Sequence, residues 1–421
     1  MKTLRNLLVL GCCLKGFAAD RTPEIKKTPI RPTLSVTLSE RYDSNVMLQN
    51  RGALDHTESW VTSVQPVIGV TVPWKGDWPG SVGFQYAPDF TFFHDRDEES
   101  YLRHTGVVRL EAKGDRLRAS ATIRPQYTDG STEGPIWGTV EDPGTFPALG
   151  APEVRYRRRN FYWQSPLEAR YDGQRWYARG VFNARIWDIM TEGRVVPGAV
   201  YQNYMDRTDV VGGPEAGFKV SPGWEAGVGY RFGHQDHEQN PYAEPYTYQN
   251  DYHRVVGVLS ANLLPGVKLT GEAGPSVHQF NPSSAAPGTA VQETLLYYSV
   301  NLNARLATNT QLRAQSYLQF LPSTAGRAGF QNFALTGSLE QRWTAKLKTA
   351  LSCEIQEYNM IRGLKTWDRV FKAEARVEYV FHRRCSAETW YAREWADNLE
   401  PGTSAREYDR HIAGLGVKVT Y

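Results

Sequence analysis

The fold is indicated most clearly by residues 81–93, SVGFQYAPDFTFF, in which two kinds of residue alternate. Its even positions are mostly apolar or aromatic: Val82, Phe84, Tyr86, Pro88, Phe90 and Phe92. Its odd positions begin with small or polar residues: Ser81, Gly83, Gln85 and Ala87. Successive side chains of a β-strand point to opposite faces, so this period of two predicts a strand with one apolar face.

The alternation extends along the chain from Thr33 onward. Residues 116–127 (RLRASATIRPQY), 295–306 (LLYYSVNLNARL) and 367–381 (WDRVFKAEARVEYVF) each separate into an apolar and a polar face. The chain is therefore predicted to be all-β. A soluble β-sandwich would show the same period, because each of its sheets also buries one face.

Strand length and the spacing of the connections favour a membrane barrel. The predicted strands have about 9 to 15 residues, whereas soluble strands usually have about five or six and tilted membrane strands need about 9 to 11. Short connections such as Ser221-Pro222-Gly223 alternate with long polar ones such as residues 234–250. This rhythm predicts a closed antiparallel transmembrane β-barrel of about 18 strands, with short periplasmic turns and long extracellular loops.

The N-terminus predicts export from the cytoplasm. Residues 1–19 have a basic start, an apolar stretch and small residues before Asp20, which is typical of a signal peptide. We expect residues 20–32 to form a periplasmic N-terminal extension and residues 33–421 to form the barrel. Two cysteines, Cys353 and Cys385, remain after the leader. We predict that they are small apolar fillers, and a single disulfide between them is the alternative.

Charge and hydropathy exclude two other classes of protein. Removing Lys2, Arg5 and Lys15 with the leader from the 48 basic residues leaves 45, equal to the 45 acidic ones. A neutral chain lacks the basic footprint of a nucleic-acid binder. The mean hydropathy of −0.50 and the lack of a later run of 18 apolar residues exclude a helical membrane bundle.

The sequence contains no recognisable catalytic motif. Gly-Lys-Ser/Thr phosphate loops and Gly-x-Ser-x-Gly elbows are absent. The segment HQDHE contains residue types that bind metals: His234, Asp236, His237 and Glu238. A hydrated extracellular loop accounts for the same residues. We therefore predict no enzymatic activity, no catalytic residue, no metal site and no cofactor.

Arginines on the polar face indicate a basic lumen. An arginine that faces lipid would cost about 2 to 4 kcal/mol at the bilayer midplane, so these side chains are expected to point inward. The predicted pore-lining residues are Arg116, Arg118, Arg124, Arg158, Arg170, Arg175, Arg179 and Arg185. An alternative is that these arginines only fill space and pair with acidic residues such as Glu111 and Glu168.

The long connection at residues 128–152 is a candidate constriction loop. Its carboxylates include Glu133, Glu141 and Asp142, beside the aromatic residues Trp137 and Phe146. Loops of this length are usually functional or disordered, and the aromatic content argues against disorder. We predict that the loop folds into the lumen, with its carboxylates near the arginines. A surface loop packed over the rim is the alternative.

Two segments resemble known outer-membrane proteins. Residues 41–48, RYDSNVML, resemble a motif of the beta-barrel porin type 2 family at Tyr42, Ser44, Asn45 and Val46. Some members of that family are associated with exopolysaccharide export. The final segment, GLGVKVTY, resembles the C-terminal signal read by the barrel-assembly machinery, although Tyr421 replaces the more frequent Phe.

These observations predict an outer-membrane, porin-like channel for small anionic or sugar solutes, with polysaccharide export as a specialised version. The expected surroundings are outer-membrane lipid and lipopolysaccharide. A different function is also compatible with the sequence, namely a plugged barrel that acts through its loops as a receptor, adhesin or structural anchor.

Overall fold

The structure is a computed structural model. It describes residues 30–46, 58–76, 78–97, 100–129, 159–190, 207–237, 249–285, 288, 290–322, 329–360, 367–399 and 407–421. Within these ranges, no helix has both the length and the hydropathy of a membrane span. The predicted signal peptide lies outside the described residues and stays a prediction.

The described chain forms 18 antiparallel strands in one closed sheet, which confirms the predicted fold. Their bounds are β1 Arg31–Asp43, β2 Ser59–Trp74, β3 Gly80–Phe93, β4 Tyr101–Lys113, β5 Leu117–Asp129, β6 Arg159–Asp172, β7 Trp176–Met190, β8 Arg207–Ser221, β9 Trp224–His237, β10 Asn250–Leu264, β11 Val267–Phe280, β12 Gln292–Ala307, β13 Thr310–Pro322, β14 Gly329–Arg342, β15 Leu347–Met360, β16 Trp367–His382, β17 Cys385–Asn398 and β18 Asp409–Thr420. A short 3-10 helix, Pro282–Ser284, follows β11. Strand β1 begins two residues before the predicted start of the barrel at residue 33.

Two short turns show why the chain reverses where it does. The turn between β8 and β9 contains Pro222 and Gly223, and the turn between β10 and β11 contains Pro265 and Gly266. Both glycines have positive φ, 84° and 82°. Proline fixes the first central position of such a turn, and glycine adopts the left-handed second position without steric cost.

Prolines inside the strands interrupt the ladders locally without breaking the barrel. Between β5 and β6 the pairing runs through Ala121 and Leu167, skips the region of Pro166, and resumes at Arg124 and Gln164 in the same register. A similar gap surrounds Pro275 between β10 and β11. Proline has no N–H to donate, so single ladder bonds are lost while the register continues.

The apolar face of the strands forms the outside of the barrel. On β3, Phe84 and Phe92 are 51% and 52% exposed, whereas Asp89 and Thr91 on the opposite face are buried. Other large apolar side chains are exposed around the sheet, among them Leu259, Leu335, Val377 and Leu415. Such a surface would be unfavourable in water and is favourable against lipid, so it defines a membrane barrel of the outer-membrane type.

The first and last strands close the barrel, and the predicted motif lies at this seam. Asp43 of β1 is opposite Ile412 of β18. The buried guanidinium of Arg410 donates from Nε to the Asp43 carboxylate at 2.9 Å. The Asn45 side-chain amide donates to the main-chain oxygen of Asp409 at 3.2 Å. The motif therefore ties the loop end of β1 to the loop end of β18.

Candidate functional site

Ion pairs between strands that are not neighbours show which face lines the lumen. Arg170 on β6 binds Glu225 on β9 through two hydrogen bonds, of 2.9 and 2.7 Å, although β7 and β8 lie between these strands. Such a contact reaches across the inside of the curved sheet. The face of β6 that carries Arg170 is therefore the lumenal face, as the cost of exposing arginine to lipid predicts.

One part of this lumenal wall is a charged network that we call the paired cluster. It consists of the cations Arg118, Arg170, Arg179, Lys219 and Arg231 and the carboxylates Glu168, Asp172, Glu215, Glu225 and Glu272. Its five positive charges are matched by five negative ones. The paired cluster is thus locally neutral, which agrees with the alternative that arginines of the lumen pair with acids.

The centre of the paired cluster is buried. The side chain of Glu215 is 1% exposed and accepts hydrogen bonds from Arg231 at 2.7 Å and from Arg179 at 3.4 Å. Arg231 is 5% exposed and also contacts Glu272 at 3.1 Å. Charge-assisted hydrogen bonds in a site with little water are strong, so these groups hold one another in fixed positions.

Glycines beside the paired cluster make room for an aromatic ring that supports it. Gly217 on β8 is directly opposite Tyr177 on β7, and a Cβ atom on Gly217 would lie 2.6 Å from the Tyr177 ring. Tyr177 is buried, and the guanidinium of Arg170 stacks over its ring at 4.1 Å. The glycine thus permits the ring to lie flat on the wall, where it orients Arg170.

A second part of the wall, which we call the open row, consists of Arg124, Gln164 and Arg185. Arg124 on β5 is opposite Gln164 on β6, and Gln164 is opposite Arg185 on β7. In each of these strands the open row lies on the loop side of the paired cluster. Neither arginine of the open row forms an ion pair within the part of the chain that the structure describes.

Arg254 on β10 is a third lumenal arginine that forms no ion pair with a carboxylate of the described strands. Its guanidinium lies between the rings of Tyr252 and Tyr297, at 4.2 and 4.0 Å from their centroids. Its Nε atom donates to the Ser276 hydroxyl at 3.2 Å. Cation–π contacts stabilise the charge without neutralising it, so Arg254 adds to the positive potential of the lumen.

The structure separates the predicted pore-lining residues into three groups. Arg118, Arg124, Arg170, Arg179 and Arg185 lie on strands β5 to β7. Arg116 and Arg175 lie in short turns, and Arg116 donates to the hydroxyl of Tyr171 at 3.4 Å. That hydrogen bond raises the pKa of Arg116. Arg158 and the predicted constriction residues, Glu133, Glu141 and Asp142, lie outside the described residues.

Arg116 contributes to the rim rather than to the wall. Tyr171 follows Arg170 directly, and adjacent residues of a strand point to opposite faces. The partner of Arg116 therefore lies on the outward face of β6. Strand alternation alone predicts that Arg116 points inward. It does not show that β5 begins only at Leu117, one residue after Arg116.

The acidic half of the paired cluster was not predicted from the sequence, apart from Glu168. Glu215, Glu225 and Glu272 occupy lumenal positions of β8, β9 and β11, and alternation could have placed them inward. It could not have shown which arginine each one meets. The residue types that bind metals form no group of three or more within the described ranges.

Comparisons with known proteins find outer-membrane proteins whose sequence identity to this chain is low. No protein-family model matches the sequence. No curated protein matches it either. Among solved structures, OpdO of Pseudomonas aeruginosa is 11% identical, with a TM-score of 0.43 over 93% of this chain and 97% of that chain. OccAB4 of Acinetobacter baumannii is 10% identical, with a TM-score of 0.42 over 93% of this chain and 98% of that chain.

A third structure, the outer-membrane protein opdK of Pseudomonas aeruginosa, is 8% identical, with a TM-score of 0.43 over 93% of this chain and 99% of that chain. At these values none of the three assigns a function to this chain. The class of protein follows from the chain's own structure: a closed 18-stranded barrel with an apolar outer face and a charged lumen is a porin-type barrel of the outer membrane.

Proposed function

We propose that the protein is an outer-membrane channel that passes small anionic or sugar solutes, with export of an anionic polysaccharide as its specialised form. The observation that supports this proposal is the open row, in which Arg124 and Arg185 carry positive charge that no carboxylate of the described residues neutralises. Fixed charge in a narrow aqueous pore concentrates counter-ions. The paired cluster adds no net charge, whereas the open row and Arg254 add positive charge to the same wall.

The proposal includes the expected surroundings of the barrel. We infer that lipopolysaccharide and outer-membrane lipid contact the apolar outer face, and that the barrel-assembly machinery reads the C-terminal strand. The resemblance at Tyr42, Ser44, Asn45 and Val46 supports membership of the type 2 porin family, and Asn45 of that motif contributes a hydrogen bond to the seam. Transport, rather than catalysis, is the activity that this arrangement suits.

Current through planar lipid bilayers tests the proposal. We expect stepwise single-channel openings and, under a KCl gradient, a reversal potential that shows anion preference. Absence of open-channel steps would instead favour a plugged barrel that acts as a receptor, adhesin or anchor. Cation preference would contradict the role given to the lumenal arginines.

A further inference from the structure

We propose that the open row is a binding site for an oxyanion, either a carboxylate or a phosphate, held between Arg124 and Arg185 above Gln164. This inference rests on the proposed channel function and deepens it, because it names one place in the lumen where the solute binds. Anion preference needs only net charge. A binding site needs donors that converge on one ligand.

The strand register brings the donors together. Arg124, Gln164 and Arg185 are directly opposite one another on three consecutive strands. Neighbouring strands are about 4.8 Å apart, so the two arginine Cα atoms are roughly 10 Å apart with the glutamine midway. All three lie on the lumenal face, because each is an even number of residues from a member of the paired cluster on its own strand. Guanidinium forks at this spacing can close on one oxyanion from two sides.

The acid that lies in the same row does not compensate the charge of the open row. Asp209 is the next residue of the same row, opposite Arg185. Its carboxylate accepts a hydrogen bond from Nε of Arg207 at 2.9 Å, and a second bond joins the same two side chains. Gln164 is neutral. Two cations therefore flank a neutral donor, an arrangement that is unfavourable without an anion.

A second observation points to a missing partner. The Nε atom of Arg185 is shielded from solvent and has no hydrogen-bond acceptor among the residues that the structure describes. Buried donors are nearly always satisfied, and an unpaired one costs free energy. An oxyanion at the open row would accept this hydrogen bond.

A phenol group lies beside the open row. Tyr162 is two residues from Gln164 on β6, and residues two apart on a strand point to the same face. Its hydroxyl can donate to or accept from a hydroxylated solute, so the site suits a sugar acid or a sugar phosphate.

Isothermal titration calorimetry on the full-length, detergent-solubilised barrel tests the inference without requiring conductance. The probes are sodium glucuronate for a carboxylate, inorganic phosphate for a phosphate, and glucose as the neutral control. We expect at least one of the two anions to bind and glucose to bind far more weakly. Binding of one anion alone would identify which of the two chemistries the site takes.

Two variants and a matched control locate the binding. Arg185→Gln should weaken anion binding by about tenfold or more, the usual effect of one charged hydrogen bond. Gln164→Glu should have a similar effect, because its carboxylate would pair with both arginines while preserving the side-chain size. Arg118→Gln is the control, because Arg118 lies on the same face of β5 and is already paired with Asp172.

The outcomes separate this inference from the proposed function. Heat-modifiable migration in gels first shows whether each variant is folded. If Arg185→Gln is not folded, Gln164→Glu alone tests whether the open row binds the anion. Anion binding that is equal in wild type, Gln164→Glu and Arg118→Gln would overturn the site. Absence of anion binding in a barrel that conducts with anion preference would also overturn it and leave the channel function intact. Binding that depends on the open row in a barrel that does not conduct would support the site and refute the channel.

Discussion

The paired cluster and the open row lie on the same wall of the lumen, use the same residue type and differ in what surrounds it. In the paired cluster each arginine meets one or two carboxylates, and the centre is almost closed to solvent. In the open row two arginines flank a glutamine. Arginine in a lumen therefore has two separate physical roles.

The role of each arginine depends on whether a carboxylate neutralises its charge. A buried guanidinium with carboxylate partners stabilises the wall and contributes little potential to the pore. A guanidinium without such a partner contributes potential and little stability. We expect substitutions in the paired cluster to change the free energy of unfolding, and substitutions in the open row to change ion selectivity.

The largest effect is expected for Glu215→Gln in the paired cluster. The substitution leaves Arg179 and Arg231 without their shared carboxylate, and breaking a buried ion pair from one side costs about 3 to 5 kcal/mol. Urea unfolding in detergent, followed by heat-modifiable migration, measures the loss. Glu168→Gln is the control, because Glu168 is 39% exposed and exposed pairs contribute about 0 to 1 kcal/mol. Equal losses for the two variants would contradict the distinction between buried and exposed pairs.

A smaller loss of stability is expected for Gly217→Ala. The new Cβ atom would lie 2.6 Å from the Tyr177 ring and 2.5 Å from the main-chain oxygen of Ala226. Overpacking of this kind costs about 1 to 3 kcal/mol. Gly180→Ala on the neighbouring strand is the control, because nothing lies within 4 Å of its Cβ position. If Gly217→Ala is as stable as Gly180→Ala, the flat packing of Tyr177 is not required.

Removal of charge from the open row should change selectivity. In the double variant Arg124→Gln, Arg185→Gln, we expect the anion-to-cation permeability ratio to fall on the order of threefold, the effect of about 1 kT of potential. The measurement is the reversal potential under a KCl gradient. Arg118→Gln in the paired cluster should cause a smaller change. A larger change from Arg118→Gln would reverse the roles that we assign to the two regions.

The smallest effect is expected from salt, and it should separate the two regions without mutation. The Debye length falls from about 10 Å at 0.1 M to about 3 Å at 1 M ionic strength, and buried pairs are screened much less. Anion preference should therefore decline over this range, while the urea midpoint of the barrel changes little. A preference that is constant over this range would indicate selection by something other than the lumenal charges.

Several features of the fold were predictable because they depend on local sequence. The strand period, the Pro-Gly turns at residues 222–223 and 265–266, and the number of strands are confirmed by the structure. Each depends on a few adjacent residues. Cys353 on β15 and Cys385 on β17 are both free, and β16 lies between their strands.

The candidate site was predictable only in part. Alternation identified arginines on the polar face of β5 to β7, including Arg124 and Arg185. It treated all of them as equivalent, and it placed Arg116 on the wall although that residue lies in a turn. Nothing in the sequence marked Gln164 as a site residue, because a single glutamine on a polar strand face is common.

The residue period, the turn residues and the cost of placing charge in lipid act locally, so the sequence predicted an outer-membrane type of barrel with arginines on its inner face. The neutralisation of individual arginines depends instead on contacts between distant strands. Arg170 meets Glu225, which is 55 residues away in the chain, because the curvature of a closed sheet brings β6 and β9 together across the lumen. Arg124 and Arg185 face each other across Gln164 because of the register of three strands, and a shift of one residue in any of them would turn that side chain toward the lipid.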